Sequence, residues 1–204
     1  DLDIRATGPG AYVRELAFRD FYADVRHQWP RSAGWNWNQK FDDIEVDSDA
    51  AASKAFEAWK QGRTGYPIVD AGMRQLADSG FMHNRVRMIA ASFLVKDLHL
   101  PWQWGARWFL DQLVDGDMAS NQHGWQWCAG SGTDAAPYFR VFNPTAQGEK
   151  FDPAGEYVRR WVPELAECAD VHKFKAGRPG DYPEPVVDHA AERAEALHRY
   201  GRIG

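Results

Sequence analysis

The sequence predicts an all-α domain of packed helices, and three observations carry that expectation. Apolar residues recur at three- and four-residue intervals along most of the chain. Proline and glycine stand where such stretches would begin and end. No pair of alternating apolar and polar runs joined by a tight turn is present, so no strand pair is expected. With 204 residues the chain can bury a sizeable core. Residues 1–204 read as one domain without internal repeats or low-complexity tracts.

Tyr12 to Arg26 carries Val13, Leu16, Phe21 and Val25 with polar residues between them, which predicts a first helix; Pro30 follows its end. Ser32 to Asp49 mixes aromatic and charged residues without a period and reads as a loop. Ala50 to Gln61 is rich in alanine and reads as helix. Gly65-Tyr66-Pro67 is a turn, with Pro67 opening the next helix and Gly80 as its C-cap. Met82 to Leu98 is the clearest helix, because Val86, Ile89, Ala90, Phe93 and Leu94 repeat at helical spacing. A helix from Pro101 to Leu113 ends at Asp115-Gly116-Asp117. Met118 to Cys128 reads as a short helix and Gly130 to Gln147 as a long loop. Asp152 to Val162 reads as another short helix, Gly177 to Pro185 as a Pro/Gly-rich segment, and Val186 to Tyr200 as a final amphipathic helix.

Composition narrows the function. Ten tryptophans are many for this length, and indoles stack on flat partners as well as filling cores. The net charge of −5 does not mark a nucleic-acid binder. Affinity for phosphates needs only a local cluster of cations, so a net-acidic chain can still supply one. Cys128 and Cys168 form no Cys-x-x-Cys motif, which argues against a disulfide framework or a zinc site and suits a reducing cytosol. No apolar run reaches membrane-spanning length, and the mean hydropathy is −0.58. No signal-peptide pattern opens the sequence, so a cytoplasmic location without a membrane partner is expected. A monomer is expected as well.

Four segments carry candidate chemistry. Glu15 and Phe18 share a helix face, where a carboxylate beside an aromatic ring can hold a base; an ordinary amphipathic helix would show the same pattern. Asn84 and Met88 sit four apart, offering a donor–acceptor amide and a polarizable surface, with Arg85 and Arg87 able to pair anions. Taken alone, that stretch reads as a solvated basic turn with one core methionine. Asp115 and Asp117 could bind a cation or accept from ribose hydroxyls; no further acidic ligands cluster there, so no metal is expected. Trp125 and Trp127 must point apart if helical, so that one can face an internal ligand and the other an external one; two core tryptophans is the plainer reading. Phe139 to Gly148 is an aromatic and polar loop whose role the residues leave open.

Long runs in this order closely resemble the class I photolyase and cryptochrome family. They are Gly62 to Leu76, Phe81 to Leu98, Asp115 to Trp127 and Thr133 to Pro153, and the likeness covers nearly the whole chain. The resemblance implies the helical FAD-binding domain of a cyclobutane pyrimidine dimer photolyase. Such an enzyme binds damaged DNA with the dimer flipped out of the duplex and splits it by electron transfer from reduced, light-excited FAD. By position, Asp115, Gly116 and Asp117 would hold the flavin and its ribose. Asn121 would lie beside the ring nitrogen N5, Arg87 would pair with Asp115, and Tyr12 would contact the flavin. Glu15, Asn84, Met88 and Trp127 would line the dimer pocket, with Glu15 and Asn84 also near the cofactor. Arg19, Arg85 and Gln147 would approach the DNA. Trp125 and Trp102 would be the proximal and middle members of an electron-transfer chain.

The chain departs from the family pattern in three places. Phe18 stands where a tryptophan usually stacks on the dimer. The distal tryptophan should fall near Asp49, where there is none; Trp35, Trp37 and Trp104 are substitutes by composition. The N-terminal α/β antenna domain and the Thr-Ser-x-x-Ser phosphate grip are not in this sequence, so a fragment with an incomplete flavin site and an unknown antenna pigment is expected. Within the family, Asn121, Trp127 and Met88 favour repair over a plant-type cryptochrome light sensor. The lack of histidine at positions 84 and 88 argues against a six-four photolyase. A non-catalytic DNA- or protein-binding remnant is the alternative of another class.

Overall fold

Several helices of this chain start where a polar side chain accepts a backbone N–H that no earlier carbonyl can reach. In the computed structural model, which describes residues 7–174 and 177–203, Asp49 caps one helix through Ala52 N–H at 2.8 Å. Asp117 caps another through Ser120 (2.7 Å), and Asp188 a third through Ala191 (2.8 Å). In order the helices are α1 (Thr7–Gln28), α2 (Ala50–Lys60), α3 (Pro67–Ser79), α4 (Asn84–Lys96), α5 (Trp102–Gln112), α6 (Met118–Ala129), α7 (Pro144–Phe151), α8 (Glu156–Trp161) and α9 (His189–Gly201). Short 3-10 turns fall at Pro30–Ala33, Gln39–Asp43 and Pro163–Leu165. No strand occurs among the described residues, and no described helix is long and apolar enough to cross a membrane.

The all-α expectation holds, with corrections to its elements. α7 lies partly inside the stretch whose residues read as loop. Asn143 caps it by accepting from Ala146 (2.9 Å), and Pro144 stands in its first turn. α4 starts two residues inside its apolar period, because His83 Nδ1 accepts from Arg85 N–H and acts as its N-cap. α8 is shorter than its apolar spacing suggests; Gly155 before it takes a left-handed φ of 71°. α1 is longer than expected, yet its apolar face is largely bare. Val25 is buried, while Val13 and Phe21 are 37% and 48% exposed. α1 packs chiefly along α6, with Tyr22 stacked on His123 at 5.1 Å.

α4 is the central element, packed by α3, α5 and α6 and touched by α7 and α9. Trp59, Phe93 and Phe109 fill the core with Met73, Leu76 and Leu94. Behind α3, the Asp70 carboxylate is fully buried and fully used. It accepts from Thr64 N–H (2.7 Å), Thr64 hydroxyl (2.6 Å), Gly65 N–H (3.0 Å) and Tyr182 hydroxyl (2.5 Å). Burial pushes this carboxyl above the usual range, and the four donors oppose that shift. They join the turn before α3 to the Pro/Gly-rich segment. Gly65 is required there: at φ 79° a Cβ would stand 2.5 Å from the Glu184 carbonyl oxygen. His189 on buried Asp97 and His99 on Glu192 (2.7 Å) then seat α9 against the end of α4.

Lys96 is 1% exposed and lies in no ion pair among the described residues. Its ammonium donates to the Arg140 carbonyl at 2.9 Å and stands 5.4 Å from the Tyr200 ring. Burial pulls it down from 10.5 to about 8. The unfolded chain therefore holds this proton over a range where the folded chain does not. The resulting penalty is complete below about 8 and fades as pH rises toward 10.5. The parent should gain stability across that window in urea denaturation, and Lys96→Met should lose that gain. An identical pH profile in both proteins would refute the assignment.

Candidate functional site

Three of the four segments singled out by their chemistry meet around one cleft of about 500 Å³; Phe139 to Gly148 does not line it. Its walls come from α1, the start of α4, the end of α5 with the turn that follows, and α6. On α4, helical spacing sets Asn84 and Met88 one turn apart along the cleft. Arg87 on the same helix donates through Nε to the Met82 carbonyl (2.6 Å) and through Nη2 to both Asp115 oxygens (2.9 Å each). That pair ties the Asp115–Asp117 turn to α4, as the resemblance implied for these two residues.

Asp117 has two roles. One oxygen caps α6, and the residue also lines the cleft. Partial burial raises its carboxyl; the Ser120 backbone N–H and hydroxyl, with Arg26 and Arg19, more than offset this. The group lies below the usual carboxylate range and stays charged. One turn along α6, the Asn121 amide nitrogen donates to the Ala106 carbonyl (2.9 Å) and to Gln122 Oε1 (3.0 Å). These two bonds fix which end of the amide is which. Asn121 Oδ1 accepts nothing from the described residues and remains the acceptor of the pair.

The opposite side of α6 explains why α1 reaches the cleft. Gln122 donates to the Ala33 carbonyl (2.6 Å) and Gln126 to the Ser32 carbonyl (2.7 Å), while Gln126 Oε1 accepts from Trp37 N–H (2.8 Å). Two side-chain amides thus bind a loop that follows α1, and α1 brings Glu15 and Arg19 to the rim. Nothing in the sequence pattern marks these glutamines; their partners lie about ninety residues away.

Trp125 is 2% exposed and reaches the cleft from inside the core. Its ring meets Phe109 edge-on at 5.0 Å and Trp59 at 6.1 Å. It also lies flat against α5 at Gly105, where a Cβ would fall 2.1 Å from the indole. A glycine inside the helical run Trp-Gln-Trp-Gly-Ala-Arg-Trp is the one local hint of such an approach.

Of the remaining expected site residues, six lie outside the cleft lining. Tyr12 and Phe18 are exposed on α1, Phe18 stacked near Tyr22 at 6.4 Å. Arg85 places its guanidinium over the Phe151 ring of α7 at 4.7 Å. Gln147 is half-buried on α7. Trp127 is half-buried on α6 and packs on the core. Trp102 is buried, and its indole N–H donates to Asn36 Oδ1 at 2.9 Å. Trp125 and Trp127 do diverge, as a helix requires.

The family described as the FAD binding domain of DNA photolyase matches residues 12–202. A deoxyribodipyrimidine photo-lyase of Streptomyces griseus is 51% identical over 196 residues, which is 92% of this chain and 41% of the relative. A crystal structure of a bacterial class III photolyase from Agrobacterium tumefaciens aligns with a TM-score of 0.90 at 47% identity, covering 97% of this chain and 43% of that one. A Synechocystis sp. PCC6803 cryptochrome aligns with a TM-score of 0.85 at 34% identity, covering 96% and 42%. The chain spans about two fifths of the length of the curated relatives it matches.

Two glycines of this site should respond oppositely to alanine. Gly105→Ala forces a methyl into the Trp125 ring and should cost about 1–3 kcal/mol, as overpacked cores do. Gly124, on α6 in the cleft wall, has nothing within 4 Å of a built Cβ. Gly124→Ala should be neutral or stabilise by up to about 1 kcal/mol through helix propensity. Denaturant midpoints of the two variants measure this, and equal shifts would show that the α5–α6 contact is looser than described.

Proposed function

The chain belongs to the family of the FAD binding domain of DNA photolyase, and from that premise we propose that it is the flavin- and DNA-facing part of a light-driven enzyme splitting cyclobutane pyrimidine dimers. The observation that carries this reading is the Arg87–Asp115 pair, charged Asp117 and the free Asn121 oxygen around a single cleft. The donor set fits a flavin. The volume lies within the range of cofactor sites, roughly 300–1,000 Å³. Asp117 is an ionised acceptor for ribose hydroxyls or a ring N–H, and Asn121 Oδ1 an acceptor for a second ring N–H. Gly116 leaves one edge without a side chain; Tyr12, exposed on α1 outside the cleft lining, would reach only a part of the flavin that extends beyond it. Reduced FAD, when bound, supplies the light-driven electron to the dimer.

The protein's own residues position and exclude. Asn84 offers both halves of an amide to a base edge, and Met88 a polarizable surface one turn below it. Glu15 faces them from α1. Phe18 and Trp127 are placed on the substrate side outside the cleft, as stacking faces for DNA bases around the flipped dimer. Arg19, Arg85 and Gln147 face the DNA strand. The class I, cyclobutane-dimer assignment belongs to this proposal, beside a class III relative at 47% identity. So do residues 1–204 as one domain, a monomeric state and a cytoplasmic location. Asn121, Met88 and Trp127 favour repair over cryptochrome signalling.

The test uses the flavin-loaded full-length protein. Dimer-containing DNA should be repaired in light and untouched in the dark; no repair with reduced flavin in light would sink the reading. Met88→Ala should weaken binding to damaged DNA by about 1–3 kcal/mol, the worth of one stacked base, with flavin retained on purification. Loss of flavin would place Met88 on the cofactor instead. Trp125→Phe should slow photoreduction of oxidised flavin strongly and spare repair by pre-reduced flavin. Equal losses would mean that Trp125 acts through the shape of the site.

A further inference from the structure

We infer that the electron hole formed in photoreduction comes to rest on buried Trp102, steadied by Asn36 and Asp42, and is refilled there by a small uncharged thiol entering an adjacent cavity. The inference rests on the proposed relay from Trp125 to Trp102. Trp125 lies against Gly105, one helical turn from Trp102 on α5. The Trp102 ring makes no ring contact with any described aromatic side chain, and Phe41 and Tyr200 share with it only the wall of the neighbouring cavity. Asp49, at the position of the expected distal tryptophan, serves as the cap of α2.

A polar chain takes the place of a third ring. The Trp102 indole N–H donates to Asn36 Oδ1 (2.9 Å), and Asn36 Nδ2 donates to Asp42 Oδ1 (2.9 Å). Asn36 is buried, so the negative end of its amide stays on the indole, polarised by the carboxylate behind it. A positive charge on Trp102 is favoured by that arrangement. Arg31 lies 3.7 Å from Asp42 on the solvent side, where water screens it.

The competing branch has the opposite electrostatics. Trp125 also touches Trp59, which leads through Phe56 (5.8 Å) to Trp104 (5.3 Å). The Lys60 ammonium, also paired with exposed Glu57, lies 5.1 Å from Phe56 and 4.9 Å from Trp108. A cation there opposes a hole. The Trp59 N–H meets only the neutral Ala90 carbonyl.

Trp102 forms part of the wall of a cavity of about 110 Å³ between the 41–46 segment, α5 and α9. The Ser131 hydroxyl behind that wall is fully buried and has no hydrogen-bond partner among the described residues, so it does not itself bind an entering molecule. The charged groups around the cavity are Asp42, Glu45, His99 and Arg199. Arg199 is held by Asp47 and Glu195, His99 by Glu192, and Glu45 by Arg202. The volume admits a few heavy atoms, and among the described residues no free cation there attracts an anionic donor. In the step, one electron passes from Trp102 toward Trp125 and the light-excited flavin, the oxidant. A thiol then returns one electron to Trp102, releases its S–H proton to solvent and leaves as a thiyl radical.

The experiment follows the tryptophan radical by transient absorption in the flavin-loaded full-length protein, with 2-mercaptoethanol or ascorbate as reductant. The radical should decay faster with 2-mercaptoethanol in proportion to its concentration, and far less with anionic ascorbate. Asp42→Asn keeps a hydrogen-bond acceptor and removes the charge. It should cut the radical yield about threefold or more, the effect of losing one partly screened charge. The Trp102 indole N–H resonance in flavin-free Asp42→Asn protein should keep its hydrogen-bonded shift, separating lost charge from lost structure. An unchanged yield in Asp42→Asn, where Trp102→Phe abolishes photoreduction, overturns the inference and leaves the relay standing. Photoreduction that survives Trp102→Phe and stops in Trp59→Phe overturns the relay itself.

Discussion

Trp125 can lie against α5 only because residue 105 has no side chain, and the site is built on that contact. A Cβ there would sit 2.1 Å from the indole. With glycine, α5 and α6 approach closely enough to hold the ring between Phe109 and Trp59 while it still reaches the cleft. The floor of the cleft is therefore part of the hydrophobic core. An interior packed as densely as an organic crystal resists small displacements. A group set into such a floor keeps its geometry without loops having to order around a ligand.

α6 distributes this rigidity to both of its sides. One side gives the cleft Asn121, Trp125 and Cys128. The other uses Gln122 and Gln126 to bind the backbone of residues 32–37, which positions α1. Gln122 also accepts from Asn121, so the orientation of the Asn121 amide is bonded to the same loop. α1 has few apolar contacts of its own, and its aromatic residues Tyr12, Phe18 and Phe21 are exposed. Its placement depends on directional hydrogen bonds more than on burial.

Charge follows the same division of labour. The chain is net acidic, with −5 overall. Arg87 is spent on Asp115, whereas Arg85 lies on the Phe151 ring, and Lys150 stands 5.3 Å from that ring. Away from the cleft, Asp70 collects four donors and Asp97 takes His189, which closes the turn before α3 and seats α9. Removing one partner from such a buried group leaves the other uncompensated, so these contacts fix the frame even where their net stabilisation is modest.

The sequence by itself determined the helical class, most helix starts and the order of the segments that meet at the cleft. Those features are local: Asp49, Asp117 and Asp188 cap helices within three residues, and Gly80 and Gly130 end them at φ 66° and 82°. The Asn143–Pro144 start of α7 was local too, but loop-like aromatic neighbours hid it. The pairing of Arg87 with Asp115 followed from family resemblance and is present. Tertiary structure alone decided that Trp127 leaves the cleft, that α1 stays uncovered, that Trp59 rather than Trp102 makes ring contact with Trp125, and that Asn36 meets Trp102 across 66 residues. Helix period gives the side of a helix on which a residue lies; which neighbour fills that side depends on the volumes of side chains brought together from distant parts of the chain.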